Sequence, residues 1–159
     1  MISAPLRSGE IDRHLRRMRR TTWVFLMTVP AAAAVAFIVP AGNGIASPLA
    51  VTLVAAAAAL WVGFTANRDA QARLDRIKRA FAATGDEEKL LRDHRWVNLA
   101  VLVRLEVMVI AAAVAIIWGA SSPAGWGILA LAAMMMGLSW PTADKTHILI
   151  QRAREQRGR

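Results

Sequence analysis

Two charged residues stand inside an apolar run of 48 residues. Arg104 and Glu106 are the only charged residues between positions 96 and 143, and Glu106 lies one residue from the centre of the stretch 97–117. A charged side chain at the centre of a bilayer costs about 3 kcal/mol on insertion scales, so an intramembrane acid is by default a candidate for proton, cation or substrate transport. Arg104 is the cheaper of the two, because its long side chain can extend toward the membrane surface.

Arg104 and Glu106 cannot form a good ion pair on one straight helix, because residues two apart point in nearly opposite directions. Three alternatives remain. Glu106 is protonated, which desolvation favours; or polar groups and water satisfy both charges; or Arg104 binds Glu106 of another copy of the chain. The candidate polar partners are Thr28, Thr52, Asn98 and Ser139. The third alternative predicts a homo-oligomer with the third membrane span near its symmetry axis.

Catalytic chemistry has weaker support. The pair Asp93-His94 could perform acid–base chemistry on a lipid headgroup, but no nucleophile motif, metal-ligand spacing or phosphate-binding loop accompanies it. Met134, Met135 and Met136 are consecutive, so on a helix they point in three directions and do not form a copper site. Cysteine is absent from the sequence. We therefore expect no catalytic residue, no metal and no cofactor, and a lipid-modifying enzyme is the third functional hypothesis.

The composition identifies the elements that hold these residues. The chain has 159 residues, 56% of them hydrophobic, and a net charge of +9, yet residues 21–67 carry no charge. This run and the run 96–143 are each about twice as long as a helix needs to cross a bilayer core of about 30 Å. The sequence therefore predicts an all-α integral membrane four-helix bundle built from two transmembrane hairpins. A soluble enzyme, a nucleic-acid-binding domain and a disordered basic tail are disfavoured.

The boundaries follow from turn residues and charges. The predicted order along the chain is a basic amphipathic segment 1–20, span 21–39, outer loop 40–47, span 48–66, cytoplasmic helical hairpin 67–95, span 96–118, outer loop 119–122, span 123–140 and basic tail 141–159. Ala133 and Gly137, four residues apart, predict a close helix contact on the fourth span.

The hairpin 67–95 carries an apolar stripe at helical spacing, with a turn predicted at Gly85. The hairpin is either a solvated connector with many salt bridges or, through this stripe, a docking surface for a partner protein or for the hairpin of another copy. Its residues are Leu74, Ile77, Phe81, Leu90, Leu91 and His94. The two basic terminal segments are predicted to lie on anionic membrane lipids.

Orientation follows from the basic residues. Six lie in 1–20, eight in 66–96 and five in 141–159, and none in the two outer loops. Lys and Arg near span ends are retained in the cytoplasm, so both termini are predicted to be cytoplasmic, in a bacterial inner membrane. Six tryptophans are predicted interfacial anchors, namely Trp23, Trp61, Trp96, Trp118, Trp126 and Trp140.

Two functional hypotheses lead. The first is a homo-oligomeric membrane scaffold or accessory subunit, assembled through the third span and the cytoplasmic hairpin. The second is a channel or transporter for protons, cations or a small substrate that uses Glu106 and Arg104 at the bilayer midplane. Nucleic acid is not an expected partner, because insertion topology already explains the basic residues.

Overall fold

The computed structural model describes residues 8–38, 48–118 and 123–157 as helices and their short connections. The helices are α1 (Ser8–Ile38), α2 (Pro48–Thr84), α3 (Glu87–Trp118), α4 (Pro123–Leu138) and α5 (Ala143–Arg157). No strand occurs in these ranges. The all-α class predicted from the sequence is confirmed, while the loops at 40–47 and 119–122 lie outside the described residues.

Helices α1, α2 and α3 are long and apolar enough to cross a membrane. Helix α4 has 16 residues and meets α5 at a bend of 61°, and this bent pair counts as a fourth candidate span when it is taken as one broken span. Large apolar side chains cover the outside of the bundle; Phe37, Leu60 and Phe64 are each exposed over more than two thirds of their surface. Contiguous apolar surface of this kind is typical of a lipid-facing exterior.

A two-residue turn joins α2 to α3. Gly85 has φ of 69°, a left-handed conformation that a residue without Cβ adopts at little cost. Its amide donates to the carbonyl of Phe81, and the carboxylate of Asp86 accepts from the amide of Lys89, which caps the start of α3. Helices α2 and α3 therefore pack against each other along much of their length.

Helix α3 is the centre of the apolar core and packs on α1, α2 and α4. Leu102, Leu105 and Met108 are completely buried on its inner side. Its outer side carries a row of exposed apolar residues at helical spacing, which we call the α3 stripe: Trp96, Val103, Val107 and Ile110.

A second apolar cluster lies at the end of the molecule that carries most of the charges. It joins the first turns of α1, the α2–α3 turn region and α5, and we call this part the head. Its buried members are Ile11, Leu15, Phe81, Leu90, Leu91, Ile150 and Ala153.

The head covers two apolar faces that were predicted to contact lipid or a partner. The apolar face of the N-terminal segment contacts protein rather than lipid, because Ile11 and Leu15 pack on α2, α3 and α5. Likewise Phe81, Leu90 and Leu91, predicted to bind a partner, are buried within the chain. An apolar stripe in the sequence shows that a surface will be covered but does not show by what, and here the two terminal segments cover it.

Helix α5 begins after a bend that a lysine stabilises. The ammonium of Lys145 donates to the carbonyls of Leu138 and Trp140, at 2.8 Å and 3.1 Å. Leu138 is the last residue of α4 and Trp140 follows it, so neither carbonyl has a partner in a following helical turn of α4. The hydroxyl of Thr142 accepts from the amide of Lys145 and caps α5. Arg154 of α5 then binds Glu87 at the start of α3, with Nη2 2.6 Å from Oε1.

Candidate functional site

Arg104 has a partner within its own chain. Its Nη2 lies 2.6 Å from Oδ2 of Asp69 on α2, and its Nη1 donates to the carbonyl of Thr65 at 3.3 Å. Both side chains are partly exposed, Arg104 over 33% and Asp69 over 47% of their surfaces. The ion pair thus links α2 to α3 at the boundary between the apolar spans and the head.

Within one chain Arg104 thus binds Asp69, a partner that none of the three alternatives from the sequence included. Sequence reasoning considered only acids at the depth of Arg104 and found none. Asp69 lies three residues beyond the predicted end of the second span at residue 66, and the arginine side chain extends toward it. The signal that could have found Asp69 is the antiparallel pairing of α2 and α3 about Gly85, which places residues 69 and 104 close together.

Glu106 contacts α1. Its Oε2 lies 2.8 Å from the hydroxyl oxygen of Thr28, one of the four predicted polar partners. The same hydroxyl lies 2.6 Å from the carbonyl of Phe25. A hydroxyl has one hydrogen and cannot donate to both acceptors at once. The Thr28 hydroxyl therefore donates to Glu106 or to the carbonyl of Phe25 at any one time.

The other three predicted polar partners lie elsewhere. Ser139 donates to the carbonyl of Met135 at 2.9 Å, and Asn98 lines recesses at the head end of α3. Thr52 lies in the second turn of α2. The geometry therefore assigns the two charges of the third span to different neighbours, Arg104 to α2 and Glu106 to α1.

A cavity of about 520 Å³ opens between α2, α3 and the α4–α5 bend. Its polar residues include Asn67, His94, Ser139 and Lys145, and its apolar side includes Leu105. Neither Arg104 nor Glu106 lines it. This cavity is thus separate from the carboxyl group of Glu106, which a transport pathway through the third span would use.

The predicted tryptophan anchors lie on the outside of the bundle or at its helix contacts. Trp23, Trp61, Trp96 and Trp118 are each exposed over 45% or more of their surfaces. Trp23 also packs edge-on against Trp140, with ring centroids 6.1 Å apart, and Trp126 packs against Phe37 at 5.1 Å. The first contact joins α1 to the segment just after α4, and the second joins α1 to the start of α4, so the two contacts lie at opposite ends of the bundle.

Two histidines meet inside the head, which the sequence does not suggest. The ring centroids of His14 on α1 and His94 on α3 are 6.0 Å apart. Nε2 of His14 and Nδ1 of His94 are buried and have no hydrogen-bond partner among the described residues. Burial, together with the charge of Arg95, lowers the pKa of His14. Burial, together with His14, lowers the pKa of His94 to about 4. Both rings are therefore neutral at pH 7.

Three kinds of comparison find no relative. No protein-family model matches the sequence, and neither the curated proteins nor the solved structures that were searched give a match.

The Arg104–Asp69 contact gives a first prediction. Asp69→Asn is expected to lower the thermal midpoint of the detergent-solubilised protein by several degrees, because it leaves Arg104 without its counter-ion. The matched control is Asp75→Asn, which removes an exposed ion pair to Lys78 three residues away and should change little. Adding Arg104→Gln to Asp69→Asn should recover part of the loss. Equal midpoints for Asp69→Asn and Asp75→Asn would contradict a role of the pair in helix packing.

Proposed function

We propose that the chain is a non-catalytic membrane scaffold or accessory subunit that presents the helical head on the cytoplasmic side of a bacterial inner membrane. In this proposal α4 alone is the fourth span, because its 16 residues carry no charge, while α5 beyond the 61° bend belongs to the head. Support comes from three helices that are long and apolar enough to cross a membrane and from basic residues concentrated at the head end.

One observation carries the choice of a scaffold over a transporter. The two charged residues of the third span are engaged with neighbouring helices of the same chain, Arg104 with Asp69 and Glu106 with Thr28. Polar contacts of this kind hold membrane helices together. We therefore interpret the third span as the centre of a packed bundle, in which Arg104 and Glu106 hold neighbouring helices together.

The scaffold is proposed to be a homo-oligomer that assembles through the α3 stripe. Helix α3 is otherwise the most buried of the three long helices, yet Val103, Val107 and Ile110 remain exposed between the contacts that Arg104 and Glu106 make. In an oligomer this row packs against the same row of another copy, since two-fold contacts use one surface twice. Assembly then needs no exchange of Arg104 and Glu106 between copies.

Cross-linking tests the assembly directly, because the chain has no cysteine of its own. Val107→Cys in native membranes is expected to form a disulfide-linked dimer on oxidation. Leu60→Cys, an exposed apolar position on α2, is the matched control and should stay monomeric. Native mass spectrometry from nanodiscs should give more than one copy for the wild type. A monomeric wild type, or equal cross-linking at both positions, would overturn the assembly.

Transport is the second candidate, and one observation favours it. Glu106 is partly exposed near the centre of the third span, and within the described ranges its hydrogen-bond partner is a neutral hydroxyl. An acidic residue inside a membrane span is by default a candidate for proton or cation transport. Proteoliposomes that hold the wild type are expected to show the same proton flux as those that hold Glu106→Gln. A flux that disappears in Glu106→Gln would favour transport over the scaffold.

A further inference from the structure

A recess between α1 and α3 collects basic side chains without acidic ones. It has a volume of about 300 Å³, and Arg17, Arg20 and Arg95 line it together with Met18, Thr21, Asn98 and Leu99. No carboxylate lines this recess. Three guanidinium groups so close together repel one another unless an anion lies between them.

The arginines of this recess are not used elsewhere. Across the described residues, the side chains of Arg17, Arg20 and Arg95 have no ion pair and no hydrogen bond. Other arginines of the head are engaged: Arg154 binds Glu87, and Arg19 donates to the carbonyl of Pro141. Arg17, Arg20 and Arg95 are therefore free to hold an anion in this recess.

The recess lies where the apolar part of both helices begins. Thr21 is the first residue of the uncharged run 21–67, and Leu99 belongs to the uncharged start of the third span. One helical turn beyond Arg20, Val24 is exposed over 64% of its surface. Cationic groups are thus followed, at the spacing of one turn, by open apolar surface.

We propose that this recess binds the phosphate group of an anionic phospholipid, with an acyl chain of the lipid along Val24. Guanidinium groups donate paired hydrogen bonds that match phosphate oxygens. Basic pockets between membrane helices on the cytoplasmic side suit such headgroups. A lipid fits better than a soluble anion, because the exposed apolar surface beside the arginines accepts the acyl chain. The site depends on membrane insertion and not on the proposed assembly.

A second basic recess lies next to the first and shares Arg17 and Arg95 with it. Its volume is about 370 Å³, and it is lined by Arg13, Arg17, Arg92 and Arg95. Unlike the first recess it also has acids, Glu10 and Glu88, and Arg92 lies 3.6 Å from Glu88. Although Arg17 and Arg95 line both recesses, the phosphate is assigned to the first because no carboxylate lines it.

Lipid titration by native mass spectrometry of the full chain tests the site. The probes are phosphatidylglycerol and phosphatidylcholine, and the wild type is expected to retain phosphatidylglycerol about tenfold more strongly, the scale that one to two basic contacts supply. The double variant Arg17→Gln with Arg95→Gln should lose that preference. The control Arg76→Gln with Arg152→Gln removes the same net charge from two exposed arginines outside the recess and should keep it.

Three results would overturn the proposal: no preference in the wild type, equal loss in both double variants, or full displacement of the lipid by inorganic phosphate. The last would identify a site for a soluble anion.

A second measurement leaves the arginines unchanged, in case the double variant does not fold. Val24→Cys, labelled with a fluorophore, is expected to be quenched at least about twofold more by brominated phosphatidylglycerol than by brominated phosphatidylcholine. Leu53→Cys on α2, exposed over 60% of its surface, is the control position and should show no difference between the two lipids. Equal quenching by both lipids at Val24 would overturn the assignment.

Discussion

Acidification from pH 7.5 to pH 4 is expected to destabilise the head by about 3 kcal/mol through His94 alone, because each unit of pKa difference between folded and unfolded chain is worth about 1.4 kcal/mol. The pKa of His94 falls from 6.5 to about 4 in the folded protein. As the pH decreases below 6.5, the unfolded chain takes up a proton that the folded chain does not accept. The contribution of His94 to the free energy of unfolding is thus fully present above pH 6.5 and is lost progressively as the pH falls to about 4.

The basic residues around the two rings also oppose protonation of the histidines. The recess beside His14 is lined by Arg13, Arg17, Arg92 and Arg95, against Glu10 and Glu88. On the other side, His94 shares its cavity with Lys145. The lowered pKa of His14 adds to the effect, and a proton on one ring opposes a proton on the other.

Thermal melting in detergent across this pH range measures the effect. His94→Phe should flatten the dependence between pH 6.5 and pH 4, since it removes the group that resists protonation. His147→Gln is the control, because His147 is exposed on α5. If His94→Phe and His147→Gln lost the same stability with decreasing pH, the buried pair would not be the cause.

Gly125→Ala is expected to destabilise the bundle by about 1–3 kcal/mol, the usual cost of adding a methyl group to a packed site. A Cβ at position 125 would lie 2.7 Å from Cγ1 of Ile116, 3.1 Å from its amide nitrogen and 3.3 Å from the carbonyl oxygen of Ala112. Two of these three atoms belong to the α3 backbone and do not move by a change of rotamer. Helix α4 must therefore shift away from α3.

Gly127→Ala provides the matched control on the same helix, because a Cβ there meets nothing within 4 Å. It should be neutral or slightly stabilising, since alanine favours the helix. Chemical or thermal unfolding of both variants in the same detergent compares them. A Gly125→Ala variant as stable as Gly127→Ala would show that α4 does not approach α3 this closely.

The sequence predicted what depends on local pattern. Helical class follows from composition, the starts at Pro48 and Pro123 follow from proline, and the turn at Gly85 follows from glycine before three acids. Each of these is decided by residues next to one another in the chain. These features can therefore be predicted without knowing which helices contact each other.

Contacts between distant segments were not predictable in the same way. Asp69 was not expected to bind Arg104, and His14 was not expected to meet His94. The sequence of one helix does not determine how far it is shifted along its neighbour. The close contact of the fourth span was expected near Ala133 and Gly137, but a Cβ at Gly137 meets nothing within 4 Å and the close contact is at Gly125. Small residues show where a close approach is allowed, and only packing shows where it occurs.

The apolar cluster of the head unites Ile11 with Ile150, which are 150 − 11 = 139 residues apart. In the proposed topology, α1 enters the membrane long before the ribosome reaches α5. Until then Ile11, Leu15 and the tip of the α2–α3 hairpin have no complete cover. In that topology, the apolar cluster of the head is incomplete until α5 has been translated, because α5 supplies Ile150 and Ala153.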